Sequence, residues 1–371
     1  MKGVLLAAAA LALAAPVLAA PPQVTGRSLV VENGATGEVL LARAPGQRVP
    51  IASITKLMTV LLTVERTKPG DVVVVSPSAA GVGESSANLR VGERLTVREL
   101  LEAALIQSAN DAADALASYV GRGNERRFVA LMNARARQLG LEDTHYVRPD
   151  GLDAPGHVSS ARDVTLLARI VMHRPLVRQI VRQRAATISG RRALHTWNDL
   201  LSSYPGLFGV KTGHTSAAGW SEVAAARRAG VTLYATLLGS PDRDTRNGDL
   251  AKLLDWGFSR YRTAAVVVKG RAYASAEAGY GRKPVALVAA RSLRPSVRIE
   301  FPLVRRVVAA NAASLPVAKG QQLGEVRVFQ RDRLVGVTPL LAARTVERPG
   351  AAGRAAWYAR RTLDHMAGWF S

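Results

Sequence analysis

Ala52-Ser53-Ile54-Thr55-Lys56-Leu57-Met58-Thr59 is the stretch on which the reading of this chain turns. A serine and a lysine stand three residues apart at the mouth of a segment without Pro or Gly. Leu57, Met58, Val60, Leu61, Leu62 and Val64 make that segment apolar enough for a core helix. Positions i and i+3 of an α-helix share a face, about 5–6 Å apart at Cβ, so Ser53 and Lys56 are expected to point into one space. A serine hydroxyl is a poor nucleophile until a base takes its proton, and a neutral lysine amine is such a base. The plainer alternative is a helix N-terminus capped by Ser53 with a solvated Lys56, because Ser is a preferred N-cap.

Around this stretch the chain alternates strands and helices. Ser28–Leu41 reads as a hairpin about an Asn33-Gly34…Gly37 turn. Val72–Val75 is a short strand, residues 86–97 are irregular, and Thr96 then caps a helix from about Val97 to Gln107. A second apolar helix runs from Ala112 to Val120, so Ser108-Ala109-Asn110 is wedged between two helices. That places a hydroxyl and a carboxamide in the interior, although both residues also serve as N-caps. Further helices are expected over Phe128–Leu139, Val164–Met172 (after the capping-box pattern Ser160…Asp163) and Leu250–Phe258. Lys211-Thr212-Gly213-His214 leads into a β-patterned pair at Val223–Ala226 and Val231–Leu238. This sets Lys211 and the Gly213 backbone toward a ligand from an edge strand.

From about residue 263 the texture changes. Val266–Val268, Val285–Ala289, Val297–Phe301, Val304–Ala309, Leu315–Val317, Gly324–Phe329 and Leu334–Val337 read as short strands of an all-β module. After Pro349-Gly350, residues 351–371 form a basic amphipathic helix, with Arg354, Arg360 and Arg361 on one side. Leu363, Met366, Trp369 and Phe370 lie on the other, and Trp357 falls out of pattern. Such a helix lies in a membrane interface; the alternative is a helix docked on its own domain.

The N-terminus has a positive start, Met1-Lys2, an unbroken apolar run Val4–Ala15 and small residues at Val17-Leu18-Ala19. It reads as a signal peptide over residues 1–19 of an exported protein. The 371 residues suffice for two cored domains and contain no cysteine, so there is no disulfide framework or Cys-built metal site. Six histidines show no metal-ligand spacing. The formal charge is +22, yet no basic run is interleaved with aromatics at a stacking spacing. Anionic lipid or wall polymer is therefore a better partner than nucleic acid. Only 8 of the 50 basic residues are Lys, which gives weight to lysines inside two candidate motifs.

Taken together, Ser53-x-x-Lys56, Ser108-x-Asn110 and Lys211-Thr212-Gly213, in that order, resemble the penicillin-recognising serine acyltransferases. The nearest match is to the low-molecular-mass penicillin-binding proteins, serine-type D-alanyl-D-alanine carboxypeptidases of the peptidase S11 kind. Contexts agree beyond the tripeptides, at Ile106–Ala112, Asp150–Gly156 and Leu253–Phe258. Ala109, where the family often has Gly, is a small departure. The resemblance implies an α/β (α+β) catalytic domain with an antiparallel sheet and a helical cluster over residues 20–262. A β-rich domain over 263–348 and a membrane-anchor helix over 349–371 follow. It further implies Ser53 as nucleophile, Lys56 as base and Ser108 as proton relay. Asn110, Lys211, Thr212, Gly213, His214 and Arg246 become substrate-binding residues, and the backbone N–H groups of Ser53 and His214 the oxyanion hole. No metal or cofactor is implied. The implied reaction removes the terminal D-Ala from peptidoglycan pentapeptides, with β-lactams as covalent inhibitors, on the periplasmic face of the cytoplasmic membrane.

Against the alternatives, a transpeptidase would normally come with a larger partner domain. A D,D-endopeptidase usually lacks the β domain. A class A β-lactamase needs a deacylating glutamate, for which Glu142 is the only candidate, without the Glu-x-x-x-Asn pattern. A non-catalytic wall-binding protein is disfavoured by the intact Ser53, Lys56, Ser108 and Lys211.

Overall fold

The computed structural model describes residues 4–11 and 19–367. They form two compact units, one over Ala19–Ser259 and one from Arg260 onward that also takes in the strand Val4–Leu11.

The first unit is built on a five-stranded antiparallel sheet in the order Val39–Arg43, Ser28–Asn33, Val231–Ser240, Gly219–Arg228, Leu207–Thr215. Side chains alternate across a strand, and Val231–Ser240 shows what each face meets. Thr236 hydrogen-bonds Thr165 of the helix Ala161–Met172 at 2.6 Å. Leu233, on the opposite face, lies against Gly257 of the helix Arg243–Ser259. Helices thus cover both faces, and Ser28–Asn33 is buried along its whole length. Behind the sheet, the helix Lys56–Arg66 packs against Asn110–Gly121, Glu125–Gln138 and Ala161–Met172. Every residue from Lys56 to Thr63 is buried. Its threonines are satisfied locally, Thr59 Oγ1 donating to the Pro149 carbonyl at 2.6 Å and Thr63 Oγ1 to the Thr59 carbonyl at 2.8 Å.

Several expected elements shift. Thr96 does cap a helix, with the reciprocal Glu99 bond of a capping box. That helix ends at Glu102, and Ala103–Gln107 is a wider π-type turn. Arg94–Thr96, expected to be irregular, pairs with Val72–Val74. The helix expected over Leu250–Phe258 starts earlier, at Arg243. Asp242 accepts from the Thr245 N–H at 2.7 Å and so satisfies an orphan donor of the first turn.

The second unit carries a seven-stranded sheet in the order Val4–Leu11, Leu303–Ala310, Gln322–Gln330, Arg333–Ala342, Arg282–Ala289, Ala272–Ala278, Ala312–Ala313. All its pairings are antiparallel except the last. Val285, Leu287, Leu303, Val317, Val326, Val328 and Leu340 form its core. Val266–Val268 and Leu315–Val317 are not strands; Val267 and Val317 make isolated bridges to Leu293 and Val346. Ala272–Ala278 was not expected as a strand, since an alanine-rich run has little β propensity of its own and is held by its neighbours. Part of the segment read as an export signal, Val4–Leu11, runs antiparallel beside Leu303–Ala310. The rest of its apolar run lies outside the described residues.

The expected tail helix spans Ala351–Ala367. Trp357, out of pattern on the wheel, packs edge-on against Tyr280 with ring centroids 5.4 Å apart, and Tyr358 joins the cluster. Leu363 and Met366 remain exposed. Trp369 and Phe370 lie outside the described residues.

Candidate active site

Ser53 does not cap a helix. It sits in a 3-10 turn, Ala52–Thr55, that runs into Lys56–Arg66 with no side-chain cap at the junction. Ala52, with φ +47°, bends the chain just before it. The turn is held from two sides. Thr55 Oγ1 lies 2.7 Å from His157 Nε2, while His157 Nδ1 accepts the Val147 N–H at 3.1 Å. With Nδ1 accepting, the neutral ring carries its proton on Nε2 and donates to Thr55. Burial, the largest influence, lowers the His157 pKa to about 4, so the ring stays neutral. On the other side Gly151, at φ +90°, lies so close that a Cβ there would come within 2.1 Å of the Ala52 carbonyl oxygen.

Lys56 is fully buried and makes three contacts through Nζ: 2.8 Å to Ser53 Oγ, 2.7 Å to Asn110 Oδ1 and 2.7 Å to the Asp150 carbonyl oxygen. The Asn110 orientation is set by its amide nitrogen, which donates to the Gly83 carbonyl at 2.9 Å. Two of the three Lys56 partners can only accept, whereas a serine hydroxyl can also donate. A neutral amine has two N–H donors for Asn110 and Asp150 and one lone pair, which then faces the Ser53 hydroxyl. Burial is the main influence on this amine and lowers its pKa to about 8; Asp150 and Asp114 push back upward. The Asp150 carboxylate is itself held by Arg148 through bonds of 2.5 and 2.6 Å. Burial alone would raise its pKa, but the Arg148 bonds and the charge of Lys56 keep it below the usual carboxylate value.

A second serine–lysine pair closes the other side. Ser108 ends the π-type turn in the left-handed conformation (φ 65°, ψ 26°), two residues before the helix Asn110–Gly121. Lys211 Nζ lies 2.8 Å from Ser108 Oγ and 2.8 Å from the Thr212 carbonyl oxygen. Lys211 is buried, and burial above all, with the charge of Lys56, brings its pKa well below the ordinary value. It comes from Leu207–Thr215, the edge strand of the sheet. Gly213 lets that edge close on the serine turn, since a Cβ would stand 2.7 Å from the Ile51 carbonyl oxygen.

Between the two pairs lies a cavity of about 220 Å³. Of the residues singled out in the sequence, Ser53, Ser108, Asn110, Thr212, Gly213, His214 and Arg246 line it; Lys56 and Lys211 sit beneath, bonded to lining residues. Leu152, from the Asp150–Gly156 stretch, also lines it, as do Ser85, Trp197 and Trp220, which carried no motif in the sequence. Trp220 stacks on His214 at 4.0 Å, directly across the ladder. The Asp150 contribution is a backbone oxygen, which side-chain patterns do not reveal. Glu142 is turned to solvent, its side chain 79% exposed and 3.6 Å from Arg162. Among the described residues there is no cluster that could hold a metal ion.

Residues 15–242 match the family model for D-alanyl-D-alanine carboxypeptidases of the S11 peptidases, and residues 261–348 match that for the penicillin-binding protein 5 C-terminal domain. The chain is 32% identical to D-alanyl-D-alanine carboxypeptidase DacD of Salmonella typhimurium over 91% of its own length and 90% of the relative's. It is 29% identical to D-alanyl-D-alanine carboxypeptidase DacF of Bacillus subtilis, over 87% and 86%. Among solved structures, the Streptomyces K15 DD-transpeptidase superposes with a TM-score of 0.63 at 31% identity, over 65% of this chain and 100% of that one. Penicillin-binding protein 5 of Haemophilus influenzae gives 0.64 at 28%, over 89% and 100%.

Proposed function

Because the chain belongs to the D-alanyl-D-alanine carboxypeptidase family of serine peptidases, we propose that it removes the terminal D-Ala from peptidoglycan pentapeptide stems through an acyl-enzyme on Ser53. The observation that carries this reading is the Lys56 amine, 2.8 Å from Ser53 Oγ with two carbonyl oxygens occupying its other contacts. The Ser53 oxygen attacks the penultimate D-Ala carbonyl carbon as its proton passes to Lys56. The tetrahedral oxyanion is met by the backbone N–H groups of Ser53 and His214, each worth about 3–4 kcal/mol in comparable sites. As the peptide C–N bond breaks, Ser108 relays a proton to the leaving D-Ala amine, held there by Lys211. Water then attacks the Ser53 ester as its proton passes to the Lys56 amine, and Lys56 returns that proton to the departing Ser53 oxygen, 2.8 Å away, as the shortened peptide leaves as a carboxylate. Thr212, Lys211 and Arg246 receive the C-terminal carboxylate, and Asn110 orients both Lys56 and the substrate amide. Penicillins acylate the same oxygen.

A β-lactamase reading is opposed by the outward-facing Glu142. A D,D-endopeptidase remains the closest second activity. Mass analysis of muropeptides after incubation with the purified protein separates them: carboxypeptidase action removes one alanine from pentapeptides, endopeptidase action splits cross-linked dimers. Ser53→Ala is expected to abolish both hydrolysis and labelling by a fluorescent penicillin; turnover near the parent rate would reject the mechanism.

The place of action proposed is the periplasm, after export on residues 1–19, with residues 351–371 attached to the outer face of the cytoplasmic membrane. No helix among the described residues is long and apolar enough to cross a membrane, and a surface-lying amphipathic helix needs no such length.

A further inference from the structure

Arg246 is the cation of the cavity, and its charge is already answered from inside the protein. Glu222 lies on the neighbouring strand directly across the ladder from Thr212, so the two side chains share a face of the sheet. Its side chain is fully buried, and Oε2 stands 3.3 Å from Arg246 Nε. Neither Glu222 oxygen has a hydrogen-bond partner. The Asn198 carboxamide stands near enough to favour its ionised form, although without a complete hydrogen bond. Arg246 is otherwise held by Asn247 Oδ1 at 2.6 and 3.2 Å. Asp199 is farther off at 3.8 Å and is engaged by Arg243 and Asn247.

We infer that Glu222 is a positioning residue that competes with the substrate's C-terminal carboxylate for Arg246, and that it yields by taking up a proton when substrate binds. The inference rests on the assignment of Arg246 to the substrate carboxylate. A buried carboxylate held by one ion pair and no hydrogen bonds is poorly secured in its charged form. A second carboxylate brought to the same guanidinium disfavours that form further, because two like charges in one site cannot both stay ionised cheaply.

The charged and polar groups facing Glu222 come from three elements. They are Arg246 on the helix Arg243–Ser259, Lys211 on the edge strand, and Asp199 with Asn198 in the turn before Leu200–Ser203. Burial, the largest influence, and Asp199 raise the pKa of Glu222, while Arg246, Lys211 and Asn198 oppose them; the result is about 7. Below that pH the carboxyl group is neutral and Arg246 is available. Above it, each substrate bound must bring in one proton, and linkage then raises KM by up to about tenfold per pH unit. Lys56 does not mimic this, since its protonation governs attack on any acyl donor. Lys211 does bear on the carboxylate, so the variant is needed to separate it from Glu222.

The experiment compares KM and kcat at pH 6 and pH 8.5 for two substrates. One is a soluble acyl-D-Ala-D-Ala peptide, and the other a D-Ala ester without a terminal carboxylate. In the unaltered protein the ratio KM(8.5)/KM(6) should be tenfold or more for the peptide and near one for the ester. Glu222→Gln should cut the peptide ratio at least fivefold while the pH dependence of kcat stays that of the parent. An unchanged peptide ratio in Glu222→Gln overturns the inference. So does a KM raised equally at both pH values, which would mean that Glu222 only holds Arg246 in place. The parent comparison of peptide with ester needs no variant; equal ratios for the two substrates also overturn the inference. Failure of the underlying reading looks different, as no release of D-Ala from the peptide at either pH, and it removes both.

Discussion

At the scale of single residues, the site is decided by the number of donors on one amine. An ammonium at Lys56 would spend one proton on each of its three neighbours and leave nothing to accept the Ser53 hydrogen. Only the neutral amine works as a base, and burial makes it accessible by lowering the pKa to about 8. At pH 7 about a tenth of the molecules then carry it. The acylation rate of Ser53 by a penicillin is therefore expected to climb about tenfold per pH unit below a midpoint near 8 and to level off above it. Stopped-flow measurement across pH 6–9.5 checks this, and a flat profile would remove Lys56 as the base. Asn110→Asp tests the same point with the opposite sign. A carboxylate 2.7 Å from Nζ would favour the ammonium, so the midpoint should move up by more than about one unit and the rate at pH 7 should fall at least about tenfold. Part of this was legible in the sequence. Two residues three apart on a helical segment share a face whether the first turn is α or slightly tighter, so the Ser53–Lys56 pair survives the finding that Ser53 lies in a 3-10 turn. The pairing of Lys211 with Ser108 was not legible, because it depends on the left-handed backbone of Ser108.

At the scale of elements, the serine turn, the Ser108 corner and the edge strand must be locked against each other, and Asp111 is the lock at the corner. Its carboxylate accepts from Ser86 Oγ at 2.6 Å and from the backbone N–H groups of Ala87, Leu89 and Ala112 at 3.0, 3.0 and 2.8 Å. The irregular loop 85–89 is thereby tied to the first turn of the helix Asn110–Gly121, where a negative charge also suits the helix dipole. Asp111→Ala leaves buried amide donors without partners, at about 1–3 kcal/mol for each group left unsatisfied. Denaturant unfolding should show a loss of at least about 2 kcal/mol; a loss below about 0.5 kcal/mol would mean the loop is held by something else. The loop reads as irregular in the sequence and is irregular in the structure, since a segment with neither helical nor strand period takes its shape from a distant carboxylate. The helix Arg243–Ser259 was read short for a related reason. Its first turn has no apolar period and depends on Asp242 as a cap. The strands of the sheet were readable because apolar runs bounded by turns need no remote partner to be recognised.

At the scale of the whole molecule, a formal charge of +22 and the helix Ala351–Ala367 bear on where the protein works. Arg354, Arg360 and Arg361 supply positive charge on that helix. Tyr358, Leu363 and Met366, each more than half exposed, supply apolar surface that the second unit leaves uncovered. Trp357 does not join that surface. It rests on Tyr280 with the Arg361 guanidinium 5.2 Å from its ring, so one turn of the helix is fastened to the domain while the following turns stay open. The start of the tail is thus docked on its own domain, and the apolar face beyond it is the one we propose meets the membrane interface. A surface helix of this kind gains from buried apolar area and from attraction to anionic headgroups, the latter about 1 kcal/mol per basic residue near the surface and screened by salt. Vesicle sedimentation separates the two contributions. The full chain should pellet with vesicles containing anionic lipid, bind less to purely zwitterionic ones and lose part of its binding at 0.5 M salt. A chain lacking residues 351–371 should stay in the supernatant yet hydrolyse a soluble D-Ala-D-Ala peptide at the parent rate. Co-sedimentation of the truncated chain as strong as that of the parent would move the membrane contact from the tail to the remaining basic surface.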